Sequence, residues 1–396
     1  MPARSDAEAK EAIAWLDSLA MFGVKLGLGN TRRLLEALGN PQRAVPSIHV
    51  AGTNGKGSVC AMLEAVFREA GQRVGLYTSP HLIRFHERIR IGGQPIPDEG
   101  LREGLERIRA ACTDWEHAPT FFEVSTVLAF LWFATRCDVM VIETGMGGRL
   151  DATNVLESQL AVITPVDRDH SQWLGDSLEE IAAEKAGIIK PGRAVISAPQ
   201  VPTVEHILRE QAATLEAPIH FVTSPWDGPL RMEGRHQRWN AALAAEAARH
   251  SGVPATESAI ARGLASAVWP GRFQRIPPRW ILDGAHNPHA VRALVGAWKE
   301  SFGTERPPII FGCLDDKDAP SLIALLEGIA GEFHFVPVAS SRSVHPNSLA
   351  HLTTQPATLH PNLAAALETC AAQGRPVLIT GSLYLVGEAL SLLTKS

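Results

Sequence analysis

Apolar positions along most of the chain fall into short unbroken runs separated by longer stretches of helical periodicity. Residues 47–51 (SIHVA) predict a buried strand and 56–70 a helix, with another strand at 74–78. A strongly apolar segment of helix length, 122–134, precedes the run DVMVIE at 138–143. Strands at 160–164 and 194–197 continue the series, with a helix at 178–187 between them. Strands that are apolar throughout, rather than alternating, are covered on both faces, and the intervening helices supply the cover. The pattern predicts an α/β chain built on a parallel sheet.

WPGRFQRIPP at 269–278 interrupts this rhythm with prolines and a glycine. Beyond it the alternation restarts: strand 280–283, helix 288–300, strand 309–311, helix 319–329, strand 333–338, helix 363–372, strand 377–380 and a last helix. A chain of 396 residues also exceeds what one hydrophobic core comfortably serves. Two domains are expected, a larger one over 1–275 and a smaller α/β one over 276–396.

Composition narrows the partners. The net charge is −5 without a long Lys or Arg block, which argues against nucleic acid or an anionic membrane as the main partner. Cys60, Cys112, Cys137, Cys313 and Cys370 are scattered and form no CxxC pair. That pattern suits a reducing cytoplasm rather than a disulfide framework or a cysteine zinc site. The opening MPARSDAEAKEAIAWL is acidic and amphipathic, unlike a signal peptide, and no apolar run is long enough to span a bilayer. A soluble, cytoplasmic, monomeric protein is expected.

The chemistry begins after the first strand. SIHVAGTNGKGSVCAMLEAVF places a strand, a glycine turn (Gly52, Thr53, Asn54, Gly55), Lys56, Gly57 and Ser58 ahead of a helix. Glycines let backbone N–H groups close on phosphate oxygens, and the helix start adds its positive dipole end. Lys56 brings a mobile cation to the outer phosphates, and Ser58 a hydroxyl. The loop departs from G-x-x-x-x-G-K-[ST]: Val50 stands where the first glycine belongs, and Gly57 follows the lysine. DVMVIE ends at Glu143 and enters the turn ETGMGGRLDATN. A carboxylate at the carboxyl edge of a parallel strand faces the ligand crevice and suits Mg²⁺, although strand-end glutamates are also often merely solvated. An asparagine ahead of an apolar helix, Asn240, reads equally as a helix N-cap.

These motifs together resemble the folylpolyglutamate synthase and dihydrofolate synthase family of the Mur ligase group, over about residues 20–390. GTNGKGS is similar to that family's phosphate loop, and ETGMGGRLDATN to its EVGLGGRLDATN, whose glutamate binds magnesium. The resemblance implies metal ligation by Ser58, by Ser79 in TSPHL, by Glu143, and by His170 in DRDHSQWLG. It further implies a carbamylated Lys185 in EKAGIIKPG, where an isolated helical lysine would otherwise be surface charge. Asn240 in GRHQRWNAALAAEAA would touch the adenine end of ATP, while Arg272 in PGRFQ and Asp283 in ILDGAHNPHA would serve its phosphate side. His286 and Ser382 would receive glutamate. TFFE (Thr120, Phe121, Phe122, Glu123) and LDA (Leu150, Asp151, Ala152) match pterin-contacting positions, and LGLGNTRRLLEALGNPQ resembles the family's N-terminal segment. The stretch between His220 and Gln237 is shorter than the family's usual one.

The resemblance implies a P-loop-containing first domain with a mostly parallel sheet, followed by a Rossmann-like second domain. It implies an ATP- and Mg²⁺-dependent ligase joining L-glutamate to dihydropteroate, a reduced folate or both, with Lys56, Glu143, His170 and Lys185 at the chemistry. Two rival readings are a Mur-type ligase of cell-wall precursors, and a P-loop NTPase switch without ligase activity.

Overall fold

A computed structural model describes residues 2–394 apart from 24 and 170. The chain divides into two compact units. The first comprises Met1–His81, Phe85–Pro229 and Trp239–Ala267; the second comprises Leu82–Arg84, Leu230–Arg238 and Val268–Ser396.

The first unit is built on eight strands: β1 (Ser47–Ala51), β2 (Val74–Tyr77), β3 (Ile89–Ile91), β4 (Gln94–Pro95), β5 (Val139–Glu143), β6 (Leu160–Ile163), β7 (Ala194–Ser197) and β8 (Ile219–Phe221). Their order is β4-β3-β2-β5-β1-β6-β7-β8. From β2 to β8 along this order all neighbours run parallel, and at one edge β3 alone is reversed, pairing antiparallel with both β2 and β4. Each residue of β1 and β5 is buried, as their continuous apolar runs require. Register puts Met140, Ile142, Ala161 and Ile163 on one face of this sheet, which packs under Leu34, Leu101, Phe130 and Phe133 toward β2 and β5 and under Ile181, Ile188, Val204 and Leu208 toward β6 and β7.

The second unit carries β9 (Gln274–Ile276), β10 (Trp280–Leu282), β11 (Pro308–Phe311), β12 (Glu332–Phe335), β13 (Ala357–Leu359) and β14 (Val377–Thr380). The order is β13-β12-β11-β14-β10-β9, parallel except for β9. Trp298, Phe311 and Leu322 belong to one of its cores, and Leu282, Leu363 and Val386 to the other. The break expected at 269–278 contains a strand, since Gln274–Ile276 pairs antiparallel with Trp280–Leu282. Flanking prolines conceal so short an element, yet an edge position tolerates them.

Candidate active site

Register brings the carboxyl ends of four strands of the first unit to one edge. Val50 pairs with Glu143, Tyr77 with Ile142, and Ala51 with Ile163. The phosphate loop, Ser79, Glu143 and Thr164 therefore emerge side by side, where ligands of parallel α/β sheets bind.

The loop is braced from behind. Thr53 N and Asn54 N donate to Pro165 O at 2.9 and 3.3 Å. Thr53 Oγ1 donates to Asp167 O and accepts from Asp167 N, at 2.8 and 3.0 Å. These amides hold the loop's shape, so a phosphate group would meet the first turn of the helix Lys56–Glu69 instead. Gly52 and Gly55 have φ of +143° and +94°, and a Cβ would lie 1.9 Å from Thr164 Oγ1 and 2.6 Å from Asn240 Oδ1 respectively. Both positions admit glycine alone. Asn240 thus abuts the loop, from inside the helix Arg235–His250 rather than at its start. The N-cap reading fails because that helix begins earlier than the apolar run suggests.

Two lysines converge on one carbonyl. Lys56 Nζ donates to Gly52 O and Thr53 O at 3.1 and 3.3 Å, and Lys185 Nζ donates to Gly52 O at 2.9 Å. Lys185 lies in the last turn of the helix Leu178–Ala186 and is 3% exposed. It is therefore no surface charge. Burial, with the positive Lys56 beside it, brings its pKa down to about 7.

Glu143 is also buried, not solvated, and accepts from Ser79 N at 3.1 Å. Ser58 is buried at the helix start and Ser79 is half-buried. Among the described residues no three His, Cys, Asp or Glu side chains are placed to hold a metal together. A buried carboxylate with hydroxyls beside a phosphate loop fits Mg²⁺, which takes few carboxylates and completes its shell with phosphate and water. It does not fit a zinc cage. His170 lies outside the described residues.

The candidate pteroyl positions also come together in this unit. Thr120 and Glu123 form a capping box at the helix Phe121–Phe133: Glu123 Oε2 accepts from Thr120 N at 2.7 Å, and Thr120 Oγ1 accepts from Glu123 N at 3.3 Å. Asn30 Nδ2 donates to the same Glu123 Oε2 at 3.3 Å, and Gly27 N donates to Leu150 O at 3.1 Å. The LGLGN segment thereby touches both groups. Phe122 lies against Gly145, where an added Cβ would sit 2.4 Å from its ring, and Phe121 meets Phe85 edge-on at 5.8 Å. Asp151 and Ala152 are buried, and both Asp151 carboxylate oxygens already accept hydrogen bonds within the turn.

The second unit gathers its candidates at the carboxyl ends of β10 and β14. Asp283 accepts from Phe273 N and Ala285 N at 2.8 and 2.9 Å, and Gly284 N donates to Gly271 O at 2.9 Å, which knits PGRFQ to DGAHNP. Burial raises the Asp283 carboxyl while neighbouring Arg272 lowers it. His286 Nδ1 lies 2.7 Å from Gly284 O. Asn287 and Ser382 cap the helices Pro288–Phe302 and Leu383–Leu393, leaving two helix N-termini at this edge. Phe273 is held at φ 45°, a strained value for a side chain, in the midst of these motifs.

Two polar groups near the site escaped the sequence reading. His81 Nδ1 accepts from Arg88 Nε at 2.9 Å, and burial together with that guanidinium brings His81 down to about 4. His49, beneath the phosphate loop, bonds to Thr153 at 2.8 Å. Placing either in the site needs the loop and strand contacts, because a lone histidine carries no local signal.

Residues 50–216 match the Mur ligase middle domain, and residues 271–383 the Mur ligase, glutamate ligase domain. The dihydrofolate synthase/folylpolyglutamate synthase of Bacillus subtilis is 36% identical, with 96% of this chain and 97% of that protein covered. The structure of E. coli FolC in complex with DHPP and ADP superposes with a TM-score of 0.90 at 32% identity, covering 97% and 98% of the two chains. The Yersinia pestis bifunctional folylpolyglutamate synthase/dihydrofolate synthase complexed with AMPPNP and Mn ion gives 0.88 at 31%, over 97% and 98%. The edge of the first sheet, with its braced phosphate loop and buried Glu143, and the full-length likeness lead to one conclusion: this chain belongs to the dihydrofolate synthase/folylpolyglutamate synthase family of the Mur ligases.

Proposed function

We propose that this chain is an ATP-dependent ligase that joins L-glutamate to dihydropteroate, to tetrahydrofolate and its polyglutamates, or to both. The observation that carries the reading is the glycine loop at the sheet edge, where Lys56, Lys185 and a helix N-terminus converge next to buried Glu143.

A carboxylate does not acylate an amine directly, because oxide would have to leave. An oxygen of the acceptor carboxylate attacks the γ-phosphorus of ATP, the bond to the β-phosphate oxygen breaks, and ADP departs from an acyl phosphate. The neutral amine of glutamate attacks the acyl carbon, and the tetrahedral species expels phosphate. Lys56 and the first-turn amides of its helix stabilise the phosphoryl charge by position and electrostatics. Asn240 is assigned to the adenine end, Arg272 and Asp283 to the nucleotide's phosphate side, and His286 and Ser382 to glutamate. Thr120–Glu123 and Leu150–Ala152 shape the pteroyl wall.

Ser58, Ser79, Glu143, His170 and Lys185 would hold the divalent ions, which neutralise charge on the phosphate oxygens. Lys185 is assigned a carbamate, formed when its neutral amine adds to carbon dioxide and loses a proton. A buried lysine with a pKa of about 7 presents that neutral amine at physiological pH, which supports the assignment. The functional domains are placed at 1–275 and 276–396, and the protein is assigned to the cytoplasm as a monomer. No helix among the described residues is long and apolar enough to cross a membrane.

Phosphate release tests the reading. Release is expected only when ATP, a pteroyl carboxylate and glutamate are all present; release indifferent to both acceptors would overturn it.

A further inference from the structure

A buried chain of hydrogen bonds joins the strand that delivers the phosphate loop to the Leu150–Ala152 turn. His49 lies on β1 and is 0% exposed. Its Nε2 is 2.8 Å from Thr153 Oγ1, and that hydroxyl donates to Asp151 Oδ1 at 2.5 Å. Thr153 N donates to the same oxygen at 3.0 Å, while Asp151 Oδ2 accepts from Met146 N at 2.9 Å. A hydroxyl carries one proton. With that proton directed at Asp151, Thr153 Oγ1 can only accept from His49, which fixes the imidazole as the Nε2–H tautomer.

His49 Nδ1 is buried without a hydrogen-bond partner. Burial and the nearby Lys190 charge hold the ring neutral, with a pKa of about 3. A buried strand position would more simply take an aliphatic side chain, which leaves no polar atom unpaired. The polar chain therefore serves geometry: it sets the Asp151 carboxylate, and through Met146 it sets the glycine turn against which Phe122 packs.

We propose that His49 is a positioning residue for the acceptor side of the reaction, holding the Asp151 turn through Thr153 so that the wall facing the pteroyl substrate keeps its shape. This rests on the ligase reading and deepens it by naming what fixes the pteroyl wall to β1. His49 touches no substrate in this assignment.

The test is steady-state kinetics of His49→Leu, His49→Gln, Thr153→Val and Thr153→Ser on the full chain, with dihydropteroate or tetrahydrofolate, whichever the wild type glutamylates. His49→Leu and Thr153→Val should each raise KM for the pteroyl substrate about tenfold while KM for ATP stays within about twofold. His49→Gln, which keeps a donor, and Thr153→Ser, which keeps the hydroxyl, should stay near wild type. The His49→Leu/Thr153→Val double variant should be no worse than either single one, because one chain is cut twice. Pteroyl KM unchanged in the cut variants, KM for ATP rising in parallel, or no rescue by the conservative pair would overturn the proposal. Should His49→Leu fail to fold, the Thr153 pair decides the matter alone. A wild type that makes no amide at all would instead sink the ligase reading, and the positioning role with it.

Discussion

Lys56 follows the loop that leaves β1 and the buried Glu143 ends the neighbouring β5, so both stand at the carboxyl edge of one sheet. Lys56→Ala or Glu143→Ala should lower kcat about a hundredfold or more, as loss of a preorganised charge contact does, while circular dichroism stays native. Near-normal turnover in either would remove that residue from the chemistry. Lys185 makes a separate, spectroscopic prediction. Protein exchanged into ¹³C-bicarbonate should show a carbamate carbonyl resonance that Lys185→Arg lacks. At this scale the sequence was most informative where residue type and chemistry coincide, as at Lys56 and Glu143. It was least informative where burial decides the role. Lys185 looks like any helical lysine until the fold encloses it, and Asn240 looks like a cap until the helix is seen to start at Arg235.

Elements turn these residues into a site. Gly52→Ala and Gly55→Ala would drive a Cβ into Thr164 and Asn240 at left-handed or otherwise glycine-only backbone angles. Either variant should lose the thermal stabilisation that ATP gives the wild type; a full nucleotide-induced rise in Tm would contradict the loop assignment. Thr120→Ala removes the capping box and should cost about 1 kcal/mol in urea unfolding, whatever its effect on substrate binding. The buried strands 47–51 and 139–143, the helix after the first and the helix before the second were legible because continuous apolar runs have few alternatives. The capping box T-x-x-E was present in TFFE but was masked by the same residues' resemblance to a ligand motif. The hairpin Ile89–Ile91/Gln94–Pro95 carries a Gly92–Gly93 turn, yet its strands are too short to stand out from loop.

For the whole molecule, histidines held neutral by their surroundings contribute to the response to acid. His49 and His81 in the first unit have pKa values of about 3 and about 4, and His236 in the second is brought to about 4 by burial and by Arg272. Between these values and the ordinary histidine value near ~6.5, the unfolded chain binds protons that the native units do not, so stability rises with pH. Each group contributes a slope of about 1.4 kcal/mol per pH unit in that window. Unfolding of the first unit should steepen as pH falls from about 6 to about 4.5, and His49→Gln should remove one histidine's share of the slope. A pH-independent midpoint would show that these rings are not held neutral. The function itself is most directly decided by mass spectrometry of a single reaction mixture: purified protein, Mg²⁺, ATP, L-glutamate and, side by side, dihydropteroate and tetrahydrofolate. The account predicts a product heavier by one glutamyl residue for at least one acceptor, formed one-for-one with ADP and phosphate. ATP consumed with no new amide on either acceptor would contradict it.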